Sequence, residues 1–299
     1  YYCQVPDHSQ HSKESLVKKK KLNIPVTTLF AIVHLVALAG FYPFFTLEGL
    51  ILALVSTPIF GMAITVVYHR YLTHKGFKTS TFMHRALSIW GMLAGEGPPL
   101  IWVANHLDHH GHSDEDGDPH SPKHGFWHSH MGWMMKADES GELNTLFMRY
   151  VPKLQRDPFM RMLNRTYIWW HVAVGFLLFG IGYLYAGPHM GGSLVIYGLF
   201  IRMMLVWHIT WAVNSVTHVW GYRTYETTDD SRNNWLVAFF AVGEGWHNNH
   251  HAFPACARAG HRWWEIDISY LVVIWPLKMI RIIWDVNDKL PDKSKRLGT

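Results

Sequence analysis

Eight histidines fall in three clusters whose residue type and spacing suit metal ligation. His247, His250 and His251 stand in GEGWHNNHHAF (Gly243–Phe253), His106, His109 and His110 in HLDHH, and His69 and His74 in HRYLTH. Residues three and four apart are neighbours on a helix, so each H-x-x-H-H string gathers its imidazoles on one face. With 22 histidines in 299 residues, such a string should arise about 0.1 times per chain by accident. Two copies are therefore informative, whereas H-x-x-x-x-H should arise about once or twice. Eight imidazoles can hold two metal ions, each with several nitrogen ligands and room for oxygen. The soluble carboxylate-bridged di-iron proteins use paired Glu-x-x-His strings; here Glu244 to His247 is the one example. Glu244 is accordingly expected to support a ligand or cap a helix.

Something must hold these clusters together, and the surrounding sequence reads as membrane helices. Hydrophobic residues make up 49% of the chain and charged residues 16%, a low charge for a soluble domain of this size. Ile24–Phe45, Leu47–Tyr68, Tyr167–Ala186 and Gly192–Val213 are apolar runs near the roughly 20 residues that a bilayer core requires. The connectors within each pair carry no lysine or arginine, while the basic charge precedes, separates and follows the pairs. By the positive-inside rule, both termini and the Arg70–Thr166 region face the cytoplasm. The lysine-rich start is read as setting orientation, not as binding nucleic acid. Ala86–Leu93, Trp235–Val242 and Ile266–Trp284 are expected to be interfacial or cap helices. Cys3 and Cys256 make no disulfide framework or Cys-x-x-Cys zinc site. The organisation expected is a polar, basic segment 1–23, a membrane and catalytic domain 24–285 and a tail 286–299. The fold class is an all-α integral membrane protein, with four transmembrane helices in two hairpins and a cytoplasmic helical cap around a dimetal centre.

The clusters resemble the three histidine boxes of the membrane-bound fatty-acid desaturases, especially the Δ9-type acyl desaturases. GDPHSP (Gly117–Pro122), GFWHSHMGW (Gly125–Trp133), NSVTH (Asn214–His218) and GEGWHNNHH share that pattern, so the resemblance runs from about Thr65 to Tyr270. It implies a ninth ligand, His218, and an asparagine, Asn214, that reaches the metal through water. It also implies two iron ions, dioxygen, two electrons and a cis double bond, with Δ9 the expected position, placed in a long-chain acyl substrate within a lipid membrane. Iron with dioxygen would supply the power for a C–H cleavage that no side chain can achieve. Zinc is readily accepted by such imidazole sites. The Arg-Asp pair that helps animal acyl-CoA desaturases hold CoA is missing, because the segment reads Trp102-Val103-Ala104-Asn105. Acyl-lipid, acyl-CoA and acyl-ACP substrates stay open. No cytochrome b5-like domain is fused, so a separate ferredoxin or cytochrome b5 is the expected electron donor. A histidine-box hydroxylase or acetylenase is the nearest alternative, and a membrane metal transporter the distant one.

Other residues carry weaker signals. His112, His120, His124, His128 and His130 have irregular spacing, and His34, His171 and His208 lie in apolar runs where hydrogen-bonded packing is the plainer role. Trp102, Trp133, Trp246, Trp263 and Trp264 are candidates either for lining an acyl channel or for interfacial anchoring. If the acyl tail runs along the helix rising from His69, about nine carbons reach Gly61 and then Thr57, which share a face. Thr57, Gly61 and Trp102 are thus the expected channel residues.

Overall fold

The computed structural model describes residues 21–136 and 142–297. The polar start through Lys20, with Cys3, lies outside the described residues, as do the last two residues of the tail. Four helices are long and apolar enough to cross a membrane: α1 (Ile24–Phe41), α2 (Leu47–Thr73), α7 (Pro158–Ala186) and α8 (Pro188–Val216). Between α2 and α7 lie α3 (Thr81–Leu93), α4 (Pro99–His112), α5 (Phe126–His130) and α6 (Glu142–Tyr150). After α8 come α9 (Trp235–Phe240), α10 (His247–Ala252) and α11 (Tyr270–Met279).

Local chemistry explains the boundaries. Asn23 caps α1 by accepting from Val26 N at 3.3 Å, and Thr46 caps α2 by accepting from Gly49 N at 3.0 Å. Asp157 caps α7 by accepting from Phe159 N, with Pro158 at the first helical position. That cap starts α7 well before the apolar run at Tyr167. Its 29 residues, at 1.5 Å each, exceed the ~30 Å hydrocarbon core. The outer turns therefore continue beyond the span and bury Met160 and Leu163. α7 and α8 approach closely, since a Cβ on Gly182 would stand 2.7 Å from Gly191 Cα. Glycine permits this contact of backbones, as small residues do between membrane helices.

Two features depart from a plain helical reading. The end of α2, Ile64–Thr73, winds as a π-helix, so residues five apart come into line and His74 N donates to His69 O at 3.1 Å. A short antiparallel ladder, β1 (Lys78–Thr79) with β2 (Ile283–Trp284), ties the chain after α2 to the segment after α11. This corrects the all-α expectation in one detail. The largest apolar core joins Val66, Val67 and Tyr68 of α2 to Met92, Val103, Leu163 and Ile274, and it underlies the histidine-bearing end of α2. The three shorter apolar segments form α3, α9 and α11. Leu236, Phe239 and Phe240 of α9 and Leu271, Val272 and Trp275 of α11 are exposed.

Candidate metal centre

Two groups of imidazoles converge where α2, α4, α8 and α10 meet. His69, His74, His106, His110 and His250 each bring one nitrogen within 4.8 Å of the others; His109, His218, His247 and His251 form a second such group. In the first group, His69 Nε2 lies 3.0 Å from His250 Nε2, which lies 3.0 Å from His110 Nε2. His110 Nε2 lies 3.1 Å from His106 Nε2, which lies 3.2 Å from His74 Nε2. In the second, His247 Nε2 is 3.1 Å from His218 Nε2 and 3.0 Å from His251 Nε2. The π-turn is what lets His74 return over His69, their ring centres 4.9 Å apart.

Carboxylates outside the groups set the tautomers. His69 Nδ1–H donates to Glu244 at 2.6 Å, His109 Nδ1–H to Asp118 at 2.9 Å, His218 Nδ1–H to Asp114 at 2.8 Å and His251 Nδ1–H to Asp229 at 2.6 Å. An imidazole that gives its one proton outward presents an Nε2 lone pair inward. Burial first, and then repulsion between rings, holds His74, His106, His109, His110, His247 and His250 well below the usual imidazole range. They are neutral at pH 7 and their lone pairs face one another. His109 Nε2 is buried without a hydrogen-bond partner among the described residues. Facing lone pairs and an orphaned ring nitrogen are the donor set that a borderline transition metal satisfies, so the residues fit such an ion.

Several supporting groups were not singled out by sequence. Asp114 and Asp118 sit four and eight residues after His110, a local signal that was available. Asp229 had none. Glu244, which the sequence did single out, accepts from His69 and also from Arg70 Nε and a terminal nitrogen at 3.1 and 2.9 Å. Burial opposes ionisation of Glu244, yet His69 and Arg70 hold its carboxyl down to about 2. Arg70 in turn donates to Asp267 at 2.8 Å. Arg202, buried in α8, caps the end of α3 by donating to Leu93 O and Ala94 O, with its guanidinium 4.2 Å from the Phe60 ring centre.

The remaining histidines separate by their partners. His120 stacks on His109, ring centres 4.1 Å apart, and with His109 and Asp118 makes a third close group. His34 Nε2 meets His208 Nε2, and His208 Nδ1 meets His130 Nε2, each at 3.0 Å. His171 Nδ1–H donates to Tyr167 O at 3.0 Å, and His112 Nδ1–H to Asp108 O at 3.1 Å.

A cavity of about 1640 Å³ reaches the first group through His106. Its wall includes Trp102, which stacks on His106 with ring centres 4.9 Å apart and an interplanar angle of 19°. Asn214, Trp133, and the aromatic side chains of Phe30, Trp207 and Trp211 also line it. Thr57 and Gly61, the other expected channel residues, are not part of that wall. The cavity lies against α1, α8 and the loop before α4, not along α2. Thr57 donates its hydroxyl to Ala53 O at 2.8 Å, and Gly61 faces Val242, which an added Cβ would meet at 3.7 Å. Trp246 is buried and bonds Ile266 O, whereas Trp263 is exposed.

Comparison with known proteins adds an independent line. The sequence profile of the fatty acid desaturase family matches residues 43–268. The chain is 40% identical over 280 residues to the sn-1 stearoyl-lipid 9-desaturase of Anabaena variabilis, covering 93% of this chain and 97% of that one. It is 40% identical over 282 residues to the Delta-9 acyl-lipid desaturase 1 of Arabidopsis thaliana, covering 93% and 87%. It is 37% identical over 257 residues to the sn-2 palmitoyl-lipid 9-desaturase of Nostoc sp. (strain 36), covering 85% of each.

Proposed function

Because the chain belongs to the fatty acid desaturase family, we propose that this membrane protein places a cis double bond at the Δ9 position of a long-chain acyl group carried by a membrane lipid. The observation that supports this most is the meeting of five and four imidazoles beside a cavity larger than the roughly 300–1,000 Å³ of an ordinary small-molecule pocket. The lipid carrier is supported by the acyl-lipid names of these relatives and by Val103-Ala104-Asn105, which lacks an Arg-Asp pair.

One iron would be held by His69, His74, His106, His110 and His250, the other by His109, His218, His247 and His251, with Asn214 acting through water. With dioxygen and two electrons, bound iron supplies the oxidising power that side chains lack. The protein's own residues do the rest. Glu244, Asp114, Asp118 and Asp229 keep the ring protons turned outward. Trp102, Trp207 and Trp211 exclude water and position the target carbons. The spans form two hairpins, α1–α2 and α7–α8, which puts the histidine clusters, both termini and the α3–α6 region on the cytoplasmic side. A ferredoxin or cytochrome b5 type electron donor reaches the centre there.

Expression in a desaturase-deficient host, with mass spectrometry of intact lipids and bond-position analysis, tests this reading. A Δ9 monoene on membrane lipid is expected. An oxygenated acyl product, or a product confined to acyl-CoA, overturns it.

A further inference from the structure

The loop Gly95-Glu96-Gly97 between α3 and α4 presents a carboxyl to the cavity, and no ion pair to it forms among the described residues. The loop is held from three spans. Trp207 Nε1 donates to Gly95 O at 2.7 Å, Tyr68 donates to Gly97 O at 3.1 Å, and Gly97 N donates to the Tyr167 hydroxyl at 3.0 Å. Gly95 and Gly97 have φ of 97° and 100°, so only glycine takes both flanking positions without strain. This rigid frame fixes the Glu96 side chain. Its Oε2 accepts from Trp102 Nε1 at 3.2 Å, with Thr210 beside the same carboxyl. Its Oε1 is buried with no hydrogen-bond partner among the described residues.

We propose that Glu96 is a specificity-determining residue of the cavity, admitting an apolar chain while its carboxyl is uncharged and excluding it once ionised. The inference rests on the acyl-lipid reading of the cavity. A neutral carboxyl beside an indole and a hydroxyl is a tolerable neighbour for methylenes. A carboxylate there, sealed from water by the bound chain and without a cation, loses its solvation and gains nothing in exchange. The groups around it cannot neutralise it. Tyr68 and Tyr167 are phenols that feel its charge, Arg202 is committed to the carbonyls of Leu93 and Ala94, and His106 lies behind the Trp102 ring. Burial pushes the Glu96 carboxyl up to about 8, so the change falls in an accessible pH range. Chain binding itself favours the protonated form further.

The test uses the purified full chain in nonionic detergent with a radiolabelled stearoyl glycerolipid whose headgroup is uncharged. Equilibrium binding is measured from pH 6 to pH 9.5 for the wild type and Glu96→Gln. Wild-type affinity should fall by about tenfold per pH unit above its midpoint, while Glu96→Gln shows no such fall. Infrared difference spectra should contain a protonated-carboxyl carbonyl band that vanishes over the same range and is missing in Glu96→Gln. A role confined to packing Trp102 would produce neither result. Equal pH dependence in the two proteins, or no titrating carbonyl band, overturns the gate. Saturable binding in neither protein at any pH overturns the acyl-lipid reading, and the gate with it.

Discussion

Replacing Glu244 with Gln isolates the contribution of charge behind His69, because size and shape are kept. In the wild type, Oε2 accepts from His69 Nδ1 at 2.6 Å while Oε1 accepts both Arg70 bonds at 2.9 and 3.1 Å. Glutamine has one acceptor oxygen and one NH2 group, so one partner must lose. If the oxygen serves Arg70, the amide faces His69 Nδ1 and forces that nitrogen to accept. The His69 proton then moves to Nε2, the atom that points into the five-histidine group. If the oxygen serves His69 instead, the amide confronts the buried Arg70 donor to donor. Either arrangement sacrifices a charge-assisted bond with a net value of about 1.5–3 kcal/mol. Arg70 retains Asp267 at 2.8 Å, so the effect stays below the roughly 3–5 kcal/mol of a fully broken buried pair. The corresponding loss of metal affinity is about 10–100-fold. Titrating metal-loaded protein with a chelator, with metal content read by mass spectrometry and unfolding followed in parallel, measures both quantities. Wild-type metal retention together with an unchanged melting temperature would refute the assigned tautomer and the role of Glu244.

Four further outcomes follow from the same geometry. His110→Ala should abolish turnover and lower metal content, whereas His124→Ala should retain both; equal losses would mean that the two groups are wrongly drawn. Gly182→Ala would place a Cβ 2.6 Å from Met190 O, and backbone cannot yield as a side chain can, so a thermal scan should show a loss of about 1–3 kcal/mol; unchanged stability refutes the close α7–α8 contact. The Glu96 carboxyl is raised in the fold from 4.5 to about 8, so it favours folding below its unfolded pKa and that stability is lost as pH rises through about 8. The melting temperature of the wild type relative to Glu96→Gln should therefore fall across that window, and parallel curves would contradict the shift. Gly61→Leu should leave the ratio of sixteen- to eighteen-carbon products unchanged, because Gly61 lies outside the cavity wall; a shift toward shorter chains would restore α2 as the channel.

Much of the architecture was legible because membrane helices announce themselves by run length. The hydrocarbon core leaves backbone groups no partner but each other, so about 20 apolar residues in line specify a spanning helix without reference to the rest of the chain. Three of the four expected runs lie wholly in helices of that kind, and Ile24–Phe45 overruns the end of α1 by four residues. Their ends were less legible, since Asp157 and Pro158 begin α7 by capping chemistry and not by hydropathy. The histidine strings were equally local signals, because three- and four-residue spacing alone puts rings on one face.

What composition and spacing could not supply is the partition of those rings. His109 and His110 are adjacent in sequence yet belong to different groups, as do His250 and His251. Neighbours on a helix point about 100° apart, so one H-x-x-H-H string serves two centres. Which ring joins which centre depends on segments far along the chain, such as His69 meeting His250 across 181 residues. The carboxylates behind the rings follow the same rule. Asp229 reaches His251 from a loop with no periodic signal, and Glu244 matters through Arg70 and His69 on another helix. The path of the cavity was also decided in three dimensions. Distance along α2 pointed to Gly61 and Thr57, while the cavity beside His106 lies where the aromatic rings of α1 and α8 meet the glycine-framed loop at Glu96. Local periodicity determined the helices and the face each one offers. Only packing between distant segments decided which faces meet and what space they leave between them.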